Sequence, residues 1–209
     1  LALARSRGFE AIDLGWLPDD PAILTKALAS GIDQVDVLLT TGGAAGGDAD
    51  LLWHVLSQPM NHQGVALPTE AHAWKLKLRP GRPLVIGRIG QTPVFGLPGN
   101  PVAALLSFLF IIDAALQKMA GITDPRPLPR IRARAGTAIR KRPGRQELLR
   151  VALCYHESDD LPVAMPAGSQ SSAQLRSVAE ADGIAVLPED QGPVAEGDRL
   201  DVVPLHGLL

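Results

Sequence analysis

The sequence predicts a three-layer α/β unit with a mainly parallel sheet, followed by a small all-β, barrel-like unit. Three observations carry this. First, "VDVLLT" (35–40) is an almost continuous apolar strand, the pattern of a strand covered on both faces. Second, it runs through a glycine-rich turn, "TTGGAAGGDAD" (40–50), into the helical "LLWHVL" (51–56), the strand–helix alternation of α/β folds. Third, the pattern changes after Gly121, where short, often alternating segments are split by Gly, Pro and Asp. The three-proline stretch "ITDPRPLPR" marks the boundary, so the chain divides into 1–121 and 122–209.

The elements follow in order. "LALARSRG" reads as the end of a helix closed by Gly8, and the chain starts at Leu1 rather than Met, so a longer parent with upstream domains is expected. "FEAIDLG" (9–15) reads as a strand. "PDDPAILTKALAS" is a helix with Asp19 or Asp20 as N-cap and Pro21 at its first position. "NHQGVALPTEAH" has no period and is expected to be a loop. "PLVIGRIGQTPVFGLPGNP" predicts two strands about a Gly-Gln turn. One long helix then starts at Pro101 and ends at Gly121. The remaining segments, from "RIRARAGTAI" to "DRLDVVPL", are strands, with "SSAQLRSVAEADG" as the one helix among them.

Composition narrows the function. With 46% hydrophobic and 20% charged residues a packed core is expected, and a net charge of −2 offers no general attraction to nucleic acid or to an anionic membrane. The single cysteine, Cys154, allows no intrachain disulfide, which fits a cytoplasmic setting; its apolar strand makes it a core residue. The longest apolar run (102–112) falls short of the ~18 residues of a membrane span. His54, His62, His72, His156 and His206 show no metal-ligand spacing, and no G-x-S-x-G elbow is present.

Three stretches carry chemistry. In "TTGGAAGGDAD", Thr41, Gly42, Gly43, Gly46 and Gly47 expose backbone N–H groups at a strand end and helix start, which favours a bound anion. The spacing matches neither the P-loop nor the dinucleotide fingerprint. Asp48 and Asp50 leave two roles open: helix N-cap, or ligand to a divalent cation that bridges to a phosphate. In "GLPGNPVAALLSF", Pro98 and Pro101 stiffen a Gly99-Asn100 turn that opens a helix, a second anion pocket or a plain tight turn. In "WKLKLRPGRPLVIGR", Lys75, Arg79 and Arg82 flank a Pro-Gly turn; they are an oxyanion clamp or a solvated face.

Together and in this order, these stretches resemble the molybdopterin molybdenumtransferases, the bacterial MoeA type and the gephyrin E domain. The resemblance extends to "PDDP", "GRQELLRV", "GSQSSAQLRSVAEADGIAVLPE" and "EGDRLDVV", so it spans almost the whole chain. It implies insertion of molybdate into adenylylated molybdopterin with Mg²⁺ and release of AMP, in a cytoplasmic homodimer. By motif position it implies functional roles for Asp50, Pro98 and Pro101, and a metal role for Asp50 with Asp48. Phosphates would lie on the glycine loop with Gly99 and Asn100, and molybdate near Lys75, Arg79 and Arg82. The chain departs from the family in several places. Arg79 and Arg82 stand where lysines are usual, and "AAGG" replaces the family's "VSVG". About ten extra residues lie around "MNHQGVALPTE", and the family's "TGDE" strand lies outside this sequence. Two other readings stay open: a molybdopterin adenylyltransferase, against which residues 122–209 argue, and a non-catalytic gephyrin-like scaffold.

Overall fold

The computed structural model describes residues 1–43, 51–156, 160–168, 170 and 175–208. Gly46, Gly47, Asp48 and Asp50 therefore lie outside the described residues. The chain opens with a short helix, α1 (Ala2–Ser6), closed at Gly8 with φ +87°. Residues 9–15, expected as a strand, form none. The Arg5 guanidinium donates to the Ala11 carbonyl, and the Asp13 side chain accepts from Gly15 N–H at 2.9 Å. Backbone groups that a ladder needs are thus satisfied locally. Helix α2 (Pro21–Gly31) begins as read, with Asp20 Oδ1 accepting from the N–H groups of Ala22 and Ile23 and with Pro21 in the first turn.

The first sheet contains β1 (Leu38–Thr41), β4 (Thr69–Lys75), β6 (Pro83–Ile89) and β7 (Thr92–Leu97), in the order β1-β7-β6-β4. Helix α3 (Leu51–Leu56) follows the glycine loop. Within this sheet, among the described residues, only β1 and β7 pair in parallel; β7 with β6, and β6 with β4, are antiparallel. The α/β class holds, but this sheet is mixed rather than mainly parallel. The connections explain it: the turn at Gly90 and Gln91, and the short excursion from Lys75 to Pro83, are too short for the crossover of a dozen or more residues that parallel neighbours require. The stretch expected as a loop is a hairpin, β2 (Met60–His62) and β3 (Val65–Leu67), followed by the start of β4. Its turn residues Gln63 and Gly64 both have positive φ, 52° and 81°, the requirement of a tight type I′ turn.

Layering follows from which side chains each face presents. On one face Leu24, Leu28, Leu52 and Leu56 from α2 and α3 meet Val85, Ile89 and Val94. On the other, Leu84, Phe95 and Leu97 meet Phe108, Ile112 and Leu116. The latter belong to one continuous helix, Pro101–Met119. It runs as α4 (Pro101–Ser107), a π-helical segment (Phe108–Ile112) and α5 (Asp113–Met119). At 19 residues with mean hydropathy 1.7 it is long and apolar enough to cross a membrane, longer than the run measured in the sequence. In the fold it is the central core helix, with Val102, Leu106 and Ile112 fully buried.

The remaining strands are β8 (Ile131–Ala135), β9 (Gln146–Cys154), β10 (Val163–Pro166), β11 (Gly183–Leu187) and β12 (Arg199–Pro204), with helix α6 (Arg176–Ala179) before β11. Their order β10-β8-β12-β11-β9 closes through a β10–β9 pairing, giving the expected barrel. Its outer edge accepts one further strand, β5 (Leu78–Arg79), in parallel with β9. Val102, Leu106 and Leu109 also share a core with barrel residues Leu148, Ile184 and Val203. Cys154, expected in the core, is exposed, because it ends β9 beyond the barrel's buried stretch.

Candidate functional site

The parallel register of β1 on β7 builds the site. Thr41 lies opposite Leu97, so the strands' C-terminal ends are level and their following turns meet. Ligands in open α/β sheets bind at such ends. The Gly42 N–H donates to the Leu97 carbonyl at 3.1 Å. A Cβ on Gly99 would stand 3.2 Å from Gly42 Cα, so the two turns touch backbone to backbone. Gly42 and Gly43 hold φ of +91° and +66°, where side-chain-bearing residues are strained. Asn100 caps the central helix, its Oδ1 accepting from Ala103 N–H at 3.3 Å, and Pro101 fills the first helical position. The two prolines thus bracket a turn that delivers a helix N-terminus to the glycine loop, where the helix dipole favours an anion.

The basic stretch reaches the same helix from the side. Leu76 N–H donates to the Arg82 carbonyl at 2.7 Å, closing a loop around Gly81, and the Arg79-Pro80 peptide is cis. Gly81 has φ +107°, and a Cβ there would lie 2.6 Å from Ser107 Oγ and 3.6 Å from the Ala103 carbonyl. The turn is therefore pressed onto the first two turns of α4. Arg82 and Lys75 are exposed, Lys75 opposite Pro83 at the end of β4. Arg79 extends toward the barrel, its Nη1 3.7 Å from Glu147 Oε2.

The structure thus brings Gly42 directly against Gly99, with Thr41 level with Leu97, and sets the turn bearing Arg79 and Arg82 on the helix that Pro101 opens. Asp48 and Asp50 follow Gly43 outside the described residues. Among the described residues no cluster of three or more His, Cys, Asp or Glu could hold a metal ion. Several features escaped sequence reasoning. A groove of about 1190 Å³ runs beside β1, lined by Thr40, Thr41, Gly43, Leu97 and Trp16 among others. The Thr40 and Ser107 hydroxyls are buried without a hydrogen-bond partner among the described residues. Only the polarity of Ser107 within an apolar helix could have flagged it.

Comparison with known proteins places this geometry. Residues 1–118 match the family described as "probable molybdopterin binding domain", and residues 132–205 match the "MoeA C-terminal region (domain IV)". The chain belongs to the MoeA-type molybdopterin-binding family. This MoeA-type chain is 30% identical over 200 residues to a molybdopterin molybdenumtransferase of Haemophilus influenzae, covering 96% of the chain and 47% of that protein. It is also 30% identical over 202 residues to molybdopterin molybdenumtransferase 2 of Mycobacterium tuberculosis, covering 96% and 48%. A crystal structure of the molybdopterin biosynthesis MoeA protein from Pyrococcus horikosii superposes with a TM-score of 0.73 at 27% identity, covering 97% of this chain and 46% of that one. The chain thus spans about half the length of the curated relatives it matches.

Proposed function

We propose that this chain carries the site at which molybdate is inserted into adenylylated molybdopterin with release of AMP. The observation that carries the reading is the backbone contact of Gly42 with Gly99 at the head of α4: a Cβ on Gly99 would stand 3.2 Å from Gly42 Cα, while Gly42 itself faces open space. The names of the relatives supply the substrate class. Thr41, Gly43, Gly46, Gly47, Gly99 and Asn100 hold the phosphates through backbone N–H groups, and Gly42, whose own N–H is taken by the Leu97 carbonyl, lets the backbone come close to them. Pro98 and Pro101 keep that turn stiff, so little ordering is needed on binding. Lys75, Arg79 and Arg82 gather molybdate and offset negative charge as it develops. Catalysis in this reading is positioning and charge neutralisation, with no protein nucleophile.

Asp50, with Asp48, holds Mg²⁺; two carboxylates are hard oxygen donors of the kind this ion takes beside substrate phosphates. Bound there, the ion would draw charge from the phosphate oxygens. The division into a substrate-binding unit (1–121) and a barrel (122–209) is supported by the two family matches. The reading also takes the protein as a cytoplasmic homodimer without nucleic-acid or membrane partners; the net charge of −2 supports only the last part, offering no general attraction to either. The test supplies adenylylated molybdopterin, molybdate and Mg²⁺ to the complete protein and measures AMP. Molybdate-dependent release that Asp50→Ala abolishes is expected; no release, or release that Asp50→Ala leaves intact, overturns the reading.

A further inference from the structure

Glu147 is 5% exposed, yet it lies between two guanidiniums that face water. Arg79 Nη1 is 3.7 Å from Oε2, and Arg145 Nε is 3.4 Å from Oε1; the two arginine side chains are 61% and 50% exposed. The arrangement is built by backbone. Strand β5 lies on β9 with Leu78 opposite Gln146 and Arg79 opposite Glu147, and Gln146 N–H donates to the Lys77 carbonyl at 2.8 Å. Arg79 belongs to the turn pressed on α4, whereas Glu147 belongs to the barrel, so this carboxylate joins the two parts at the basic turn.

A buried carboxylate is costly unless its oxygens are engaged, and here each oxygen faces one guanidinium. An ion pair with a water-facing arginine adds little to stability. Its effect is directional. Glu147 is held by its burial, with Arg145 on its second oxygen, and so it draws one edge of the Arg79 guanidinium toward the barrel. The guanidinium has five N–H donors in a rigid fork, and those not turned to Glu147 remain available to an oxyanion. We infer that Glu147 is a positioning residue for the anion site, acting through Arg79. This rests on the reading of the Arg79 and Arg82 turn as molybdate-binding. Glu147 has a second, opposite influence: its negative charge repels the anion. The two effects have opposite signs, so the direction of the change on substitution tells which prevails.

The experiment measures molybdate binding to the complete protein by titration calorimetry, with thermal unfolding alongside. It compares the unaltered protein, Arg79→Ala, Glu147→Gln and the double variant. Gln keeps one acceptor oxygen but turns an NH₂ toward the other guanidinium. Glu147→Gln is expected to weaken molybdate binding about tenfold. In the Arg79→Ala background it should weaken binding no further, the coupling expected of residues that act as one unit. Glu147→Asp keeps the charge and should bind between the two; it serves as the readout if Glu147→Gln fails to fold. Unchanged or tighter binding in Glu147→Gln, an undiminished further loss in the double variant, or Glu147→Asp binding as the unaltered protein does would each overturn the inference. If the unaltered protein binds molybdate and Arg79→Ala binds it equally well, the reading of the basic turn fails instead. No binding by the unaltered protein overturns both.

Discussion

Gly81→Ala tests how the basic turn is seated on the central helix. The new methyl would lie 2.6 Å from Ser107 Oγ, at a residue with φ +107°. Two costs add. Holding a side-chain-bearing residue in that backbone region costs about 1–3 kcal/mol. Forcing a methyl into occupied space costs about 1–3 kcal/mol more. A sum of about 4 kcal/mol lowers the midpoint of a chain this size by about 8–16 °C. The contact falls on a hydroxyl that is buried with no partner among the described residues, so Ser107→Ala should stabilise by about 1 kcal/mol. It also removes the atom the new methyl meets, while the backbone cost remains. In the Ser107→Ala background, Gly81→Ala should therefore cost only about 1–2 kcal/mol. Urea unfolding of the four proteins in this cycle reads both numbers. An equal Gly81→Ala cost in both backgrounds would refute the packing of this turn on Ser107, and a cost under about 1 kcal/mol would refute the strain as well.

Two further outcomes follow from groups away from the site. Asp113 is 2% exposed, takes two bonds from Arg7 at 3.1 and 2.9 Å, and accepts a third from Gln117 at 2.8 Å; Asp113→Ala should cost about 3 kcal/mol in urea unfolding, as it strands a half-buried arginine and a buried amide. The Glu70 carboxyl is held below its ordinary 4.5 by hydrogen bonds from His72 and then Arg88. Its folded value lies below its unfolded one, so its contribution is full above about pH 5 and is lost as pH falls through the folded value. The unfolding midpoint should therefore fall less steeply on acidification in Glu70→Gln than in the unaltered protein, the contribution being small because the group is exposed.

What could be read from the sequence was local. Asp20 and Pro21 announce a helix start, and Gly90 with Gln91 a hairpin, because a few adjacent residues decide those conformations. The meeting of the glycine loop with the "LPGNP" turn was not legible in this way, since it depends on the β1–β7 register that sets Gly42 against Gly99. What failed depended on partners. Residues 9–15 have the composition of a strand, but side chains of Arg5 and Asp13 take the Ala11 carbonyl and the Gly15 N–H. A mainly parallel sheet was expected from strand–helix alternation, yet the connections joining β4, β6 and β7 are too short for crossovers. The hairpin at Gln63 and Gly64 was missed because its strands are three residues each, too short to show a period. Nothing near Arg79 in sequence points to Glu147, since a two-residue parallel pairing from distant segments leaves no pattern.

The central claim is that the touching glycine turns at the ends of β1 and β7 hold the phosphates of adenylylated molybdopterin. Gly99→Val addresses it directly, because the added side chain enters beside Gly42 Cα at 3.2 Å and occupies the place a phosphate would take. The deciding measurement is the affinity of the complete protein for adenylylated molybdopterin by titration calorimetry, before and after this substitution. Binding by the unaltered protein and a loss of about a hundredfold or more in Gly99→Val are expected, with the variant still folded though its unfolding midpoint is lowered. Equal affinity in the two folded proteins would contradict it.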